Sequence, residues 1–227
     1  VVLNATGTLK IRIPTNSAAD KISLTSASAT FDQTKLNLVI DATGLSGNAT
    51  GLTIVQTANG SGINPGNTFA SVSANNGYLV TVHYAANSIT VDLTGPTINA
   101  TGSPLAALST TYGTPGSATS FNVSGVNLNA GITVTPPPGL EVSTTPGFSS
   151  NVGDNASPIL VGGAGTVAFT PVYVRLKATA PVSGSYNSQN IALTSVGAPT
   201  VNVATAASGN SVSPATLTYT ANATNRI

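Results

Sequence analysis

His83 is the only histidine among 227 residues, and there is no cysteine. A hydrolytic triad built on His83 would need a serine nucleophile and an orienting carboxylate. His83 stands in Leu79 to Tyr84, in step with Leu79 and Thr81, which is the placing of a side chain on one strand face. No G-x-S-x-G turn occurs. The six carboxylates, Asp20, Asp32, Asp41, Asp92, Glu141 and Asp154, are scattered, and no spacing suggests the pair a glycosidase sets across one sugar bond. Asn151 to Asn155 is the one loop with atoms suited to calcium, and a single carboxylate is a thin ligand set. It reads as a polar turn. Gly163 to Ala168 formally fits a dinucleotide fingerprint, but a strand follows where the motif needs a helix. The expectation is therefore no catalytic residue, no metal ligand, no cofactor site, and a protein that is not an enzyme.

Three weaker chemical signals remain. Lys177 would matter if it were buried beside a carboxylate, where an isopeptide bond to an Asn can close. Alternation places it with Arg175, on the wet side. N-x-[ST] sequons at Asn4, Asn48, Asn59, Asn99, Asn122, Asn155 and Asn222 are acceptors only where the source glycosylates its surface proteins. The tyrosines, Tyr78, Tyr84, Tyr112, Tyr173, Tyr186 and Tyr219, would serve a sugar platform if clustered. Scattered, they sit half-buried with the hydroxyl wet.

The elements that position these residues read as strands. Pro171 to Ala180 alternates most cleanly: Val172, Val174, Leu176 and Ala178 on one face, Tyr173, Arg175 and Lys177 on the other. Hydrophobic residues are 41% of the chain, a supply of Val, Leu, Ile and Ala interleaved with Thr and Ser. β-branched residues fit a pleated surface better than a helix, and no long run has helical spacing. The fold class expected is all-β. Charged residues are only 6% and the net charge is +1, so there is no basic patch for phosphates and no nucleic-acid partner. Sheet edges lack the charges that usually protect them and must be covered or paired. No apolar run approaches the roughly 20 residues of a membrane-spanning helix. Between Lys35 and Arg175 no Lys or Arg occurs, so trypsin has no site from 36 to 174.

Residues 1–95 divide into short, closely spaced strands: Gly7 to Ile13, Lys21 to Thr25, Ala29 to Asp32, Leu36 to Asp41, Gly51 to Gln56, Thr68 to Val72, Tyr78 to Tyr84 and Ser88 to Leu93. That spacing predicts a β-solenoid end or a small β-sandwich. Gly95-Pro96 is the best linker signal. Residues 96–213 read as about seven strands, with Gly and Pro in the turns, which fits an immunoglobulin-like β-sandwich without its Cys and Trp core. Residues 214–227 read as an extended terminal strand or the start of a further repeat, with Leu217 and Tyr219 on one side. The chain reads as a mature or trimmed segment of a longer protein.

Gly7 to Ile13, Ala19 to Leu24, Leu36 to Leu38, Leu52 to Gln56, Phe69 to Val72, Leu79 to Tyr84 and Ile89 to Leu93 resemble the closing rungs of autotransporter-type passengers. In that family strand repeats stack as a right-handed β-helix ending in a short sheet of hairpins. The glycine-aspartate-rich turn that often precedes the family's last strand is replaced here by Ala85 to Ser88. Ser109 to Pro115, Ser120 to Gly125, Gly131 to Pro137, Gly139 to Ser143, Val172 to Leu176 and Asn190 to Ser195 resemble the immunoglobulin-like repeats of large bacterial surface and secreted proteins. Together the resemblances imply a non-catalytic structural module of an extracellular or cell-surface fibrous protein. Its partners would be other copies of itself or neighbouring repeats, joined by strand pairing. The alternative is an adhesin or carbohydrate-binding module with surface glycans as partners.

Overall fold

The computed structural model describes residues 2–3 and 7–215. These residues form strands, turns and loops, and no helix. The first nine strands are β1 (Val2–Leu3), β2 (Gly7–Arg12), β3 (Ile22–Leu24), β4 (Thr30–Phe31), β5 (Leu36–Asp41), β6 (Ala49–Thr57), β7 (Ser71–Ala74), β8 (Leu79–Tyr84) and β9 (Ser88–Thr94).

Their pairing decides between the two arrangements open for this part. β1 runs parallel to β4, β2 to β5, β5 to β7, and β3 to β6. Parallel partners about one coil apart on successive faces are the mark of stacked coils, so a solenoid end forms. Register places Leu9 over Leu38 and Ile11 over Ile40, and Ile11, Leu38 and Ile40 are buried in one core with Ile54, Ile89 and Val91. Burying each such side chain contributes roughly 1.5–3 kcal/mol. Stacking ends where the chain reverses: β9 runs antiparallel to β6 and to β8. One boundary moves from its expected place. The strand expected at Thr68 to Val72 forms at Ser71–Ala74. Phe69 leaves the ladder because its ring is buried against Tyr84 and its N–H donates to the Tyr84 hydroxyl at 3.1 Å.

Eleven strands follow: β10 (Thr97–Thr101), β11 (Ser109–Thr111), β12 (Thr119–Leu128), β13 (Ile132–Thr135), β14 (Leu140–Ser143), β15 (Val152–Asp154), β16 (Ile159–Val161), β17 (Gly165–Leu176), β18 (Asn190–Thr194), β19 (Val201–Ala204) and β20 (Ser211–Ser213). One sheet has the order β10-β12-β17-β14-β15 and the other β16-β13-β18-β19. The two sheets pack over one shared core as a β-sandwich. The seven longer strands, β10, β12, β13, β14, β17, β18 and β19, are the seven expected from the sequence. β14 and β15 widen the first sheet, and β11 pairs parallel with β20. The count exceeds the expected seven because β11, β15, β16 and β20 are three residues each, too short for alternation to show.

Inward residues of both sheets share one core, among them Phe121, Val123, Val134, Leu140, Val172, Val174, Leu176, Ile191, Leu193 and Val203. The two apolar cores are separate, one ending at Leu93 and the other starting at Ile98. Gly95-Pro96 lies between them and is itself buried, so the dipeptide is packed into a junction and is no free tether. Pro214 and Ala215 are outside any strand, and the rest of the tail, Leu217 and Tyr219 included, lies outside the described residues.

Candidate functional site

Scarce charge is concentrated. β17 lies beside β14, and β14 beside β15, so Arg175 opposes Glu141 and Glu141 opposes Asp154 on the outer sheet face. Arg175 Nε donates to Glu141 Oε1 at 2.6 Å, and its guanidinium stands 3.9 Å from the centre of the Phe148 ring. Lys177 Nζ donates to Asp154 Oδ2 at 2.5 Å. Lys177 is thus not out in water: its side chain is only 28% exposed. The isopeptide bond considered for Lys177 needs an asparagine amide at its amine, and Asp154 is the one side chain hydrogen-bonded to Lys177 Nζ among the described residues. The Lys177 ammonium holds Asp154 below the ordinary carboxyl value, helped by the N–H groups of Ala156 and Ser157. The pair is a half-buried salt bridge. The same three bonds engage the Asp154 carboxylate, and Val152–Asp154, expected within a polar turn, is a strand.

His83 does meet an acid. Its Nε2 lies 2.8 Å from Asp92 Oδ2 across the β8–β9 hairpin, and Asp92 Oδ1 accepts from Gly51 N–H at 2.7 Å. The Gly51 bond, then His83, lowers the Asp92 pKa. His83 pairs in register with Thr90 and is 53% exposed. Asp92 is its one hydrogen-bond partner among the described residues. Its neighbours on that face of β8, Leu79 and Thr81, are exposed as well. The geometry is a surface cross-strand pair on an open face, with no serine in bonding contact.

The tyrosines disperse. Tyr78 is buried at the junction, and Tyr84 packs on Phe69. Tyr186 fills a corner before β18: its hydroxyl donates to the Pro181 carbonyl at 2.6 Å, the role of the tyrosine corner in such sandwiches. A hollow of about 240 Å3 adjoins it, lined by Pro138, Gly139, Pro181, Gly184, Ser185 and Gln189. A Cβ at Gly139 would lie 2.5 Å from the ring, so the glycine makes room for the tyrosine. Tyr112 is exposed, and Tyr173 stands half-exposed on the outer face of β17. Of the sequons, the Asn48 amide accepts from Gly95 N–H and the Asn59 amide donates to the Ala29 carbonyl, so both serve the fold. Asn99 and Asn155 are exposed, Asn122 half-buried. Asn4 and Asn222 lie outside the described residues.

The junction between the two cores is a built surface. Tyr78 Oη donates to the Gly197 carbonyl at 3.0 Å, and Gly47 N–H donates to the same oxygen at 3.3 Å. Gly197 has φ +80°, and a Cβ there would lie 3.0 Å from the Asn76 carbonyl oxygen and 3.1 Å from the Tyr78 ring. A Cβ on Gly77, at φ +75°, would run into the Asn127 carbonyl oxygen. Three glycines with no side chain let main chain of one unit meet main chain of the other. Sequence reading found Gly95-Pro96 and missed this contact. Its signals, Gly77-Tyr78 and Gly197-Ala198-Pro199, look like ordinary turns.

No protein-family model matches the chain, and no curated protein matches it.

Proposed function

We propose that this chain is a structural module of a secreted or cell-surface fibrous protein, a scaffold in which β-units are set in series. One observation carries the reading. A solenoid end and a sandwich, each with its own core, are joined by a buried dipeptide and a main-chain junction at Gly47, Tyr78 and Gly197. Such a joint transmits orientation from one unit to the next. Main-chain ladders resist proteases, and a surface of Ser, Thr and Asn responds little to salt or pH. No helix among the described residues is long and apolar enough to cross a membrane.

Extension proceeds by strand pairing. Among the described residues β2 and β3 each pair on one side only, at one end of the solenoid. Leu9, Ile22 and Leu24 there are only partly buried, whereas the residues they stack on, Leu38, Val55 and Thr57, are buried. An edge paired on one side accepts another strand by β-augmentation. Imaging of the native particle tests the reading. Thin rods with copies of this module in line support it. An isolated globule, or turnover of a polysaccharide or peptide by the purified chain, contradicts it.

A further inference from the structure

The outer face of β17 carries a row of rings that the scaffold role does not use. Val172, Val174 and Leu176 point into the core, so Pro171, Tyr173 and Arg175 point out. Upstream the alternation breaks. Thr170 pairs with Val123 and Val167 with Gly125, so Ala168 and Phe169 together oppose Ser124 in a bulge. Both are exposed, and Phe169 is 63% exposed, the most of any large hydrophobic residue described. Phe169, Pro171 and Tyr173 therefore stand along one open strand face, the outer two roughly 13 Å apart at about 3.3 Å per residue.

Their flanks are polar and neutral. Pro171 sits beside Asn122, Tyr173 beside Ser120, and Asn99 lies one strand further out beside Ser124. The first charges met along β17 are Arg175 and its neighbours, already paired with Glu141 and Asp154. An uncharged strip of two aromatic rings with a proline between them, edged by amides and hydroxyls, matches one chemistry. A pyranose presents an apolar C–H face that stacks on a ring, and a rim of hydroxyls that bonds to amides. The open, linear layout suits the side of an extended chain and not a sugar end held in a closed pocket. A protein partner needs a larger apolar centre than one row.

We infer that Phe169, Pro171 and Tyr173, with Asn122, Ser120 and Asn99 beside them, form a platform for a neutral, extended polysaccharide. The platform uses none of the residues that make the junction contact, Gly47, Gly77, Tyr78, Asn127 or Gly197, so its failure would leave the scaffold reading untouched.

Affinity gel electrophoresis of the full chain in hydroxyethylcellulose, glucomannan and xylan tests it, with polygalacturonate as the anionic comparison. At least one neutral polymer should retard the protein, with no greater retardation in polygalacturonate. Phe169→Ala and Tyr173→Ala should each weaken binding about tenfold, and the double variant should abolish it. Leu160→Ala, on an exposed residue of the other sheet, should bind like the parent, and an unchanged unfolding midpoint for Phe169→Ala certifies the fold. The inference is overturned by no retardation in any neutral polymer, by retardation in polygalacturonate alone, or by undiminished binding in the double variant. It is also overturned if Phe169→Ala abolishes a self-association of the chain, since the face would then join copies.

Discussion

Tyr78 and Gly197 are 119 positions apart and meet at 3.0 Å, hydroxyl to carbonyl, across the junction of the two cores. The tyrosine belongs to the solenoid core and the glycine to the turn between β18 and β19. Tyr78→Phe keeps the ring and deletes the bond. We expect a loss of about 1 kcal/mol, seen as a lowered midpoint in denaturant unfolding.

Gly77→Ala and Gly197→Ala test the close approach. Each forces a side chain onto a positive φ and into the facing unit. Overpacking of this kind costs about 1–3 kcal/mol. We expect the damage to fall on the joint: calorimetry should resolve two transitions, one per core, where the parent chain shows one.

The fold was largely legible in the sequence, because strand alternation survives in the long elements. Val172 to Leu176 read directly as a core strand, and Gly95-Pro96 marked the gap between cores. What stayed hidden was non-local. Parallel stacking of β2 on β5 leaves no local trace that separates it from antiparallel pairing. The short strands β11, β15, β16 and β20 have too few residues to show a period. Phe169 escaped notice because a bulge removes it from the alternation. Lys177 was put in water by parity alone. Parity assigns a face, and only the β14–β15 pairing brings Asp154 to it.

Acid sensitivity follows from the carboxylates. Asp32, Asp41, Asp92 and Asp154 all lie below the ordinary value of 3.8. Asp41 is lowest, at about 2, held first by the Thr43 hydroxyl, then by the Thr43 N–H, Lys10 and Asn75. A depressed folded pKa gives stability that is present above the unfolded value and lost as pH falls through the folded one. The contribution of these four groups should hold from neutral pH to about 5 and decline below about 4. Unfolding midpoints measured from pH 7 to 2 check this; a large fall between 7 and 5 would contradict it.

The charged ladder makes two further predictions. Arg175→Ala removes the 2.6 Å bond to Glu141 and the stacking on Phe148. It should cost about 1–3 kcal/mol in denaturant unfolding, more than an exposed pair would. Intact mass should show no loss of ammonia, since Lys177 Nζ bonds to the Asp154 carboxylate and to no asparagine amide among the described residues.

Small-angle scattering of the purified chain tests the central claim most directly, that two β-units stand in series on a fixed main-chain joint. A compact chain of this length would have a radius of gyration of roughly 17 Å. We expect a clearly larger radius and an elongated distance distribution, which Gly77→Ala broadens further. A value near that of a compact sphere, unmoved by the variant, would contradict the account.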